Sequence, residues 1–281
     1  MTASIFQNLE PIMSANLNSE PSSDCTPYLI REDIGAVARL TLNRPQQYNP
    51  LSKVMLTELQ QQFASLADDQ SIHAVILSAK GKAFCAGHDL KEIRAHNNDE
   101  FARSLFAQCS QMMVSITRLP QPVIAQVQGI ATAAGCQLVA NCDLAIASTE
   151  AKFAVSGVNL GLFCSTPAVA LSRNVSRKNA MEMLLTGEFV NAENAVEKGL
   201  VNRAVPCEQL DVVTLNLAQK IASKPREVLA IGKRSFYEQI DQGLERAYES
   251  AGDKMACNLQ FPAASEGIDA FIEKRRPSWT C

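Results

Sequence analysis

At 281 residues the chain is long enough for one large domain, and apolar residues make up 47% of it, which favours a packed globule over a disordered chain. The formal net charge of −3 gives no electrostatic basis for binding nucleic acid or an anionic membrane, and no apolar run approaches the about 20 residues of a membrane span. The 9 cysteines and 3 histidines show no zinc-binding spacing, so we expect reduced thiols and no metal site.

The N-terminal segment is the first feature along the chain. Residues 1–26 are rich in Ser, Asn, Glu and Pro, a composition typical of a flexible tail. The first 30 residues contain no Lys or Arg, whereas a secretory signal needs a basic region and a mitochondrial presequence needs arginines. We therefore expect a cytoplasmic protein.

Strand-like and helix-like segments then alternate, which predicts a mixed α/β fold. Apolar runs predict strands over 35–42, 73–78, 123–128, 143–147 and 152–155. Helical periodicity predicts helices from about residue 52 and over 101–119, and a short helix after the small-residue run 131–135. The first of these helices has apolar residues near one face: Val54, Met55, Leu59, Phe63 and Leu66.

From Pro167 onward the pattern is almost entirely helical, with Asn191 as an N-cap and Gly199 as the residue after a helix end. The recurring strand-then-helix unit is compatible with a spiral of similar turns. We expect a core domain at residues 27–207, which would hold the functional pocket, and a C-terminal helical region at residues 208–281.

Two loops place small residues directly after a strand. One spans residues 80–91 (KGKAFCAGHDLK) and the other residues 128–139 (QGIATAAGCQLV). Small residues allow close approach of another group to the backbone, and the first N–H groups of a helix have no partner within it. Side by side, the two loops would direct N–H groups at one point, as an oxyanion hole requires. Taken singly, each loop is better explained as a tight turn packed against a helix, because glycine-rich turns between a strand and a helix are common.

From about residue 28 to residue 279 the sequence resembles the crotonase, or enoyl-CoA hydratase/isomerase, superfamily. The resemblance rests on several segments in register: LNRPQQYNPL at 42–51, FCAGHDLK at 84–91, PVIA at 122–125, Gly129 with Gly135, NCDLAIA at 141–147 and EGIDAFIEKR at 266–275. The run GLFCSTP at 161–167, with Arg177 and Lys178 beyond it, is similar to the subgroup of enoyl-CoA hydratase domain-containing protein 3.

This resemblance implies a spiral of ββα turns with a C-terminal helical region that builds homotrimers or hexamers. It also implies an acyl-CoA or enoyl-CoA thioester as substrate, a place in fatty acid metabolism, and no cofactor. The backbone N–H groups of His88 and Ala134 would form the oxyanion hole. Asp89 would hold the loop. Five positions would contact coenzyme A: Gln46, Ala86, Lys91, Phe271 and Lys274.

The chain departs from the family at the two glutamates with which hydratases position and activate water. Gln137 stands at the first position, and an amide cannot act as a base near neutral pH. Gly157 stands at the second and offers no side chain. The resemblance thus predicts a hydratase-like lyase or isomerase whose proton-transfer groups are missing. Asp143 is expected to have a structural role.

Two alternatives remain open from the sequence. The chain is a non-catalytic acyl-CoA binder, or it is a thioester hydrolase or another enolate-forming enzyme that uses Cys164 or His88. A thiol beside an oxyanion hole attacks a thioester only if its pKa is lowered, and for Cys164 a buried apolar cysteine is the favoured explanation. For His88 the alternative is that only its backbone N–H matters.

Overall fold

The computed structural model describes residues 26–279, and the predicted N-terminal tail lies almost wholly outside them. Within the described residues ten strands form two sheets: β1 (Leu29–Ile34), β2 (Val37–Leu42), β3 (Ala74–Ala79), β4 (Ala83–Cys85), β5 (Val123–Val127), β6 (Ile130–Thr132), β7 (Leu144–Ser148), β8 (Lys152–Ala154), β9 (Val190–Asn191) and β10 (Arg203–Val205). Eleven helices accompany them: α1 (Lys53–Asp68), α2 (Leu90–Ala95), α3 (Asp99–Arg118), α4 (Ala134–Asn141), α5 (Ser165–Asn174), α6 (Arg177–Thr186), α7 (Ala192–Glu197), α8 (Cys207–Ala222), α9 (Arg226–Gln239), α10 (Leu244–Asn258) and α11 (Pro262–Ile272).

The chain winds as a spiral between the two sheets. The larger sheet has the order β1-β2-β3-β5-β7-β10 and the smaller one β4-β6-β8-β9. In each turn the first strand (β3, β5, β7) joins the larger sheet, and the next strand (β4, β6, β8) joins the smaller one. Successive turns pair in parallel. The mixed α/β spiral predicted from the sequence is confirmed.

Register in the smaller sheet positions the functional loops. Cys85 at the end of β4 lies opposite Ala131 of β6, and Ala131 lies opposite Phe153 of β8. Because the carboxyl ends of parallel neighbouring strands meet at one edge, the segments after β4, β6 and β8 emerge side by side.

Two apolar clusters hold the spiral together. The main one lies between the sheets and the helices on their inner side, with Phe63, Phe84 and Phe153 among its fully buried side chains. The second packs Leu210 and Ala218 of α8 against the opposite face of the larger sheet. Over residues 26–279, no helix combines the length and apolar character that crossing a bilayer demands.

A polar contact joins α9 to the spiral. The Nζ of Lys233 donates to Asp143 Oδ2 at 2.6 Å, and the hydroxyl of Tyr237 donates to Asp143 Oδ1 at 2.9 Å. Asp143 Oδ2 also accepts from the N–H of Val123 at 2.7 Å. Asp143 therefore has the structural role expected of it.

Most predicted elements exist within a few residues of their expected bounds, but three details differ. Val54 was expected on the apolar face of α1 and is instead 50% exposed, whereas Met55, Leu59, Phe63 and Leu66 are buried. The strand expected at 35–42 begins at Val37, because Gly35 at φ 60° makes the turn from β1. Five strands were not predicted: β1, β4, β6, β9 and β10. The last four have only two or three residues, too few to show a period, and β9 and β10 correct the expectation of an almost entirely helical chain after Pro167.

Candidate active site

The first functional loop follows β4 and is held by backbone contacts from residues 48–51. Ala86 N–H donates to Tyr48 O at 3.0 Å, and Leu51 N–H donates to Gly87 O at 2.8 Å. Asp89 then caps α2, since its Oδ1 accepts from the N–H groups of Lys91 at 2.9 Å and Glu92 at 3.1 Å. These contacts fix the backbone at His88 between two anchored points.

The second functional loop follows β6 and turns sharply into α4. Ala133 has φ 50° and ψ −120°, a strained region for a residue with a side chain. Its N–H donates to Ala154 O at 2.9 Å, which ties the turn to the next strand of the smaller sheet. The turn leaves Ala134 as the first residue of α4, where a backbone N–H has no partner within the helix.

The two loops touch each other through glycines. A Cβ added at Gly87 would lie 3.0 Å from Ala133 Cβ and 3.3 Å from Ala134 N. A Cβ added at Gly135 would lie 2.0 Å from Cys85 O. Both contacts favour glycine, and they hold the backbone just before His88 against Ala134, so that both residues line one cavity. Neither N–H has a backbone acceptor among residues 26–279.

A cavity of about 310 Å³ opens at this point. Its wall contains no charged side chain and is mostly apolar. The residues that line it are Ala86, His88, Leu90, Ile93, Phe106, Ala133, Ala134, Ser156, Gly157, Leu160, Leu162, Phe163, Cys164, Ser165, Thr166 and Pro167. Two free N–H donors in a mostly apolar pocket favour a ligand oxygen that becomes negative, because electrostatic stabilisation is strongest where water is excluded. Across residues 26–279, no cluster of three or more His, Cys, Asp or Glu side chains is arranged to hold a metal ion.

His88 also brings its imidazole to this pocket. Nδ1 lies 3.2 Å from the carbonyl oxygen of Leu51, and the ring packs edge-on against Phe106 with 5.4 Å between centroids. Burial lowers the pKa of His88, and the Leu51 carbonyl opposes that shift. The ring is therefore neutral at physiological pH.

Position 157 is closed to any side chain. Gly157 is buried in the turn after β8, and an added Cβ would lie 2.4 Å from Leu162 O and 2.7 Å from Cys164 Sγ. Cys164 itself is buried at the start of α5, and burial raises the pKa of its thiol. Gln137 lies on α4 with 5% exposure and is not part of the cavity wall. Its Oε1 has no hydrogen-bond partner within the described part of the chain.

Comparison with known proteins agrees with this geometry. Residues 32–281 match the family model of enoyl-CoA hydratase/isomerase. The chain belongs to the enoyl-CoA hydratase/isomerase family.

Solved structures of the family superimpose closely. The crystal structure of an enoyl-CoA hydratase from Mycobacterium smegmatis is 58% identical, with a TM-score of 0.89 over 90% of this chain and 99% of that one. Human enoyl Coenzyme A hydratase domain-containing protein 3 is 44% identical, with a TM-score of 0.87 over 90% of this chain and 100% of that one.

Curated sequences give the same grouping. The enoyl-CoA hydratase domain-containing protein 3 of Mus musculus is 45% identical over 266 residues, which are 95% of this chain and 87% of that protein. That of Danio rerio is 44% identical over 259 residues, 92% of this chain and 90% of that protein. The chain falls in this subgroup, as the run at 161–167 predicted.

These names overturn one prediction. We expected a cytoplasmic protein, but both curated relatives are named as mitochondrial. The cytoplasmic prediction is wrong on this comparison. It depended only on the lack of Lys and Arg in the first 30 residues, and that composition does not decide the compartment.

The structure brings together some of the family positions and separates others. Ala86, His88, Ala134, Gly157 and Cys164 all line the one cavity. The remaining coenzyme A positions lie outside that wall: Gln46, Lys91, Phe271 and Lys274. Phe271 is 85% exposed on α11, so nothing within residues 26–279 covers it.

Sequence reasoning missed much of the cavity wall. Leu90, Phe106, Leu160, Leu162 and Phe163 all line it and are large, exposed apolar residues. The exposed Leu160-Gly-Leu-Phe163 run was visible in the sequence, but it lies in an irregular segment between β8 and α5 and shows no period of its own. Asn49 was also missed. Its side chain bonds Lys80 O at 2.9 Å and Ala83 O at 2.8 Å, which joins residues 48–51 to the start of β4.

Proposed function

We propose that this chain binds acyl-CoA thioesters and acts as an enoyl-CoA hydratase-like enzyme, with the backbone N–H groups of His88 and Ala134 stabilising the enolate oxygen. The observation that supports this proposal is the pair of N–H groups without backbone acceptors at one apolar cavity. Donors fixed in advance need no reorganisation as charge develops, and losing one such donor in an enzyme lowers the rate about 10²- to 10³-fold.

The proposal includes the loss of both family glutamates. Gln137 provides an amide, and Gly157 has no space for a side chain because of Leu162 O and Cys164 Sγ. Oxyanion stabilisation does not depend on either residue, since it uses backbone groups. The proposed chemistry needs no metal or other cofactor, and the coenzyme A thioester enters as substrate.

Coenzyme A would extend from the cavity over polar and exposed residues. Ala86 lies at the cavity, and Lys91 follows it on α2 with an exposed side chain. We assign Lys91 and Gln46 to the nucleotide part of coenzyme A, and Phe271 with Lys274 to its adenine end from a neighbouring subunit. The lone Lys91 charge is expected to provide a weak, salt-dependent contribution.

A homotrimer or hexamer accounts for the apolar surface of the C-terminal helices. Exposed large apolar residues follow one another along α9 and α10: Phe236, Ile240, Leu244, Tyr248, Met255 and Leu259. Leu244 and Tyr248 are each 74% exposed, whereas a monomer rarely leaves so much contiguous apolar surface in water. Sedimentation velocity tests this assembly, and a single monomeric species at micromolar concentration would contradict it.

The test of the function combines binding with turnover. Isothermal titration with butyryl-CoA measures binding, and loss of the conjugated-thioester absorbance of crotonyl-CoA measures hydration. Saturable binding with hydration supports the whole proposal. No binding of either ligand overturns it.

Two intermediate outcomes separate the alternatives. Binding without any loss of absorbance favours a non-catalytic acyl-CoA binder, which agrees with the absence of a carboxylate in the cavity wall. Release of free coenzyme A thiol from butyryl-CoA, detected with a thiol reagent, favours a thioester hydrolase.

A further inference from the structure

The cavity wall contains two titratable side chains among its described residues, His88 and Cys164. Every other lining residue is apolar, a glycine or a hydroxyl residue. Adding water to an enoyl thioester needs one group to take a proton from water and one to deliver a proton to carbon. His88 and Cys164 are therefore the two candidates for these groups in this pocket.

The thiol of Cys164 fills the space vacated at position 157. Its Sγ lies 2.7 Å from where a Cβ of residue 157 would be, and it accepts a hydrogen bond from the Gly157 N–H at 3.3 Å. The family glutamate would begin from that Cβ. The thiol therefore stands where the missing side chain would start, and the S–H proton is free to be donated.

The imidazole of His88 has one committed nitrogen and one free nitrogen. Nδ1 carries the proton, since its partner is the Leu51 carbonyl at 3.2 Å, which only accepts. Nε2 is then a lone-pair acceptor, and it is buried without a hydrogen-bond partner among residues 26–279. A buried acceptor without a partner in the protein needs a donor, which a water molecule or a ligand group can provide.

We propose that His88 Nε2 is the base that takes a proton from water, and that the Cys164 thiol is the acid that delivers a proton to the α-carbon of the thioester. This pair would replace the two family glutamates, so the inference rests on the proposed function. The proposal requires the ring of His88, which packs edge-on against Phe106, to expose its buried Nε2 to the water that enters with the substrate.

The step balances in atoms and charge. One O–H bond of water breaks, its proton goes to Nε2, and its oxygen bonds the β-carbon of the enoyl group. The C=C electron pair moves toward the thioester oxygen, where the N–H groups of His88 and Ala134 hold the enolate. The enolate then takes the proton of Cys164, forming Cα–H and a thiolate. Transfer of a proton from the imidazolium to the thiolate restores both groups.

The charge states at rest agree with these roles. Burial lowers the pKa of His88, so the ring is neutral and able to accept a proton. Burial raises the pKa of Cys164, so the thiol keeps its proton, while the Gly157 N–H opposes that shift. The same N–H, together with the N-terminus of α5, stabilises the thiolate once the proton has left.

The variants His88→Gln and Cys164→Ala test the pair in the full-length chain, with crotonyl-CoA as substrate and butyryl-CoA as binding probe. Both variants keep the oxyanion N–H groups. We expect kcat for each to fall about 10²- to 10⁴-fold while the dissociation constant for butyryl-CoA changes less than twofold. The matched controls are the exposed residues His96→Gln and Cys257→Ser, which leave both quantities unchanged.

Alkylation gives a readout that packing alone would not produce. Iodoacetamide labelling followed by peptide mass spectrometry should show Cys164 modified slowly, faster at higher pH, and protected by butyryl-CoA. Protection shows that Cys164 faces the bound acyl group, as the acid must, and a labelling rate unchanged by butyryl-CoA would contradict that role.

The outcomes separate this inference from the proposed function. Wild-type protein that binds no acyl-CoA overturns the function and the pair together. Wild-type protein that binds but does not hydrate crotonyl-CoA overturns the pair and the hydratase part of the proposed function, and leaves only acyl-CoA binding. Full activity in Cys164→Ala would show that Cys164 is not the acid, and full activity in His88→Gln would show that His88 is not the base. In either case the proposed function would still stand.

Discussion

The backbone N–H of Gly157 donates a hydrogen bond to the Sγ of Cys164 at 3.3 Å. The same sulfur lies 2.7 Å from the place that a Cβ of residue 157 would occupy. With a thiol at position 164, position 157 therefore has room for glycine and for nothing larger. Restoring a glutamate at 157 by itself cannot restore the family arrangement.

Gly157→Ala is expected to destabilise the fold by about 1–3 kcal/mol, because the new methyl overpacks a closed site. The double variant with Cys164→Ala lacks the sulfur contact but keeps the contact with Leu162 O at 2.4 Å. It should therefore regain only part of the lost stability. Urea unfolding of both single variants and the double variant measures a coupling of about 0.5–3 kcal/mol. Strict additivity of the two changes would show that the sulfur is not the obstacle.

The two loops proposed to form the oxyanion hole are visible in the sequence, because glycines and small residues mark them directly. The contact that makes those glycines necessary, between Gly135 and Cys85 O, arises from pairing of β4 with β6. Strands of three residues have no readable period, so that pairing was invisible. Long helices were predicted well because α1 and α3 bury a regular stripe.

The state of position 157 illustrates what the sequence could not supply. The sequence shows the glycine at position 157, but Cys164 lies seven residues away across an irregular turn. Nothing in the local sequence predicts that its sulfur fills the space beside Gly157. The neutral tautomer of His88 likewise depends on a carbonyl from Leu51, 37 residues earlier in the chain. Both features come from tertiary contacts.

Gly135→Ala is expected to displace α4 from β4, since the added Cβ would lie 2.0 Å from Cys85 O. The Ala134 N–H moves with the helix, and a misplacement of about 1 Å lowers kcat/KM about 10²-fold. Crotonyl-CoA hydration measures the effect on kinetics, and thermal unfolding measures the effect on stability. Normal kinetics in Gly135→Ala would show that α4 does not approach Cys85 O this closely.

Lys233→Met is expected to destabilise the protein by about 3–5 kcal/mol, because it leaves the Asp143 carboxylate buried without its cation. The side chains of Lys233 and Asp143 are only 6% and 14% exposed, and Lys233 Nζ also bonds Ile116 O at 2.8 Å and Gln121 O at 2.9 Å. Adding Asp143→Asn removes the orphaned charge while keeping an acceptor, so it should recover part of the loss. Urea unfolding provides the measurement. Equal stability of the single and double variants would mean that the charge of Asp143 is not what the lysine balances.

The pH dependence of hydration is expected to show one ionisation on the acid side. Burial lowers the pKa of His88 below its ordinary 6.5, and the Leu51 carbonyl only partly opposes this. The neighbouring Asp89 carboxylate is occupied with the N–H groups of α2 and is not a cause of the shift. The base works only when neutral, so kcat/KM falls as pH drops through this lowered pKa and is constant above it until another group titrates. Steady-state kinetics of the wild type and of His88→Gln, run at matched ionic strength, test the assignment: the acid limb should disappear from the residual activity of the variant, and its persistence there would assign the ionisation to another group.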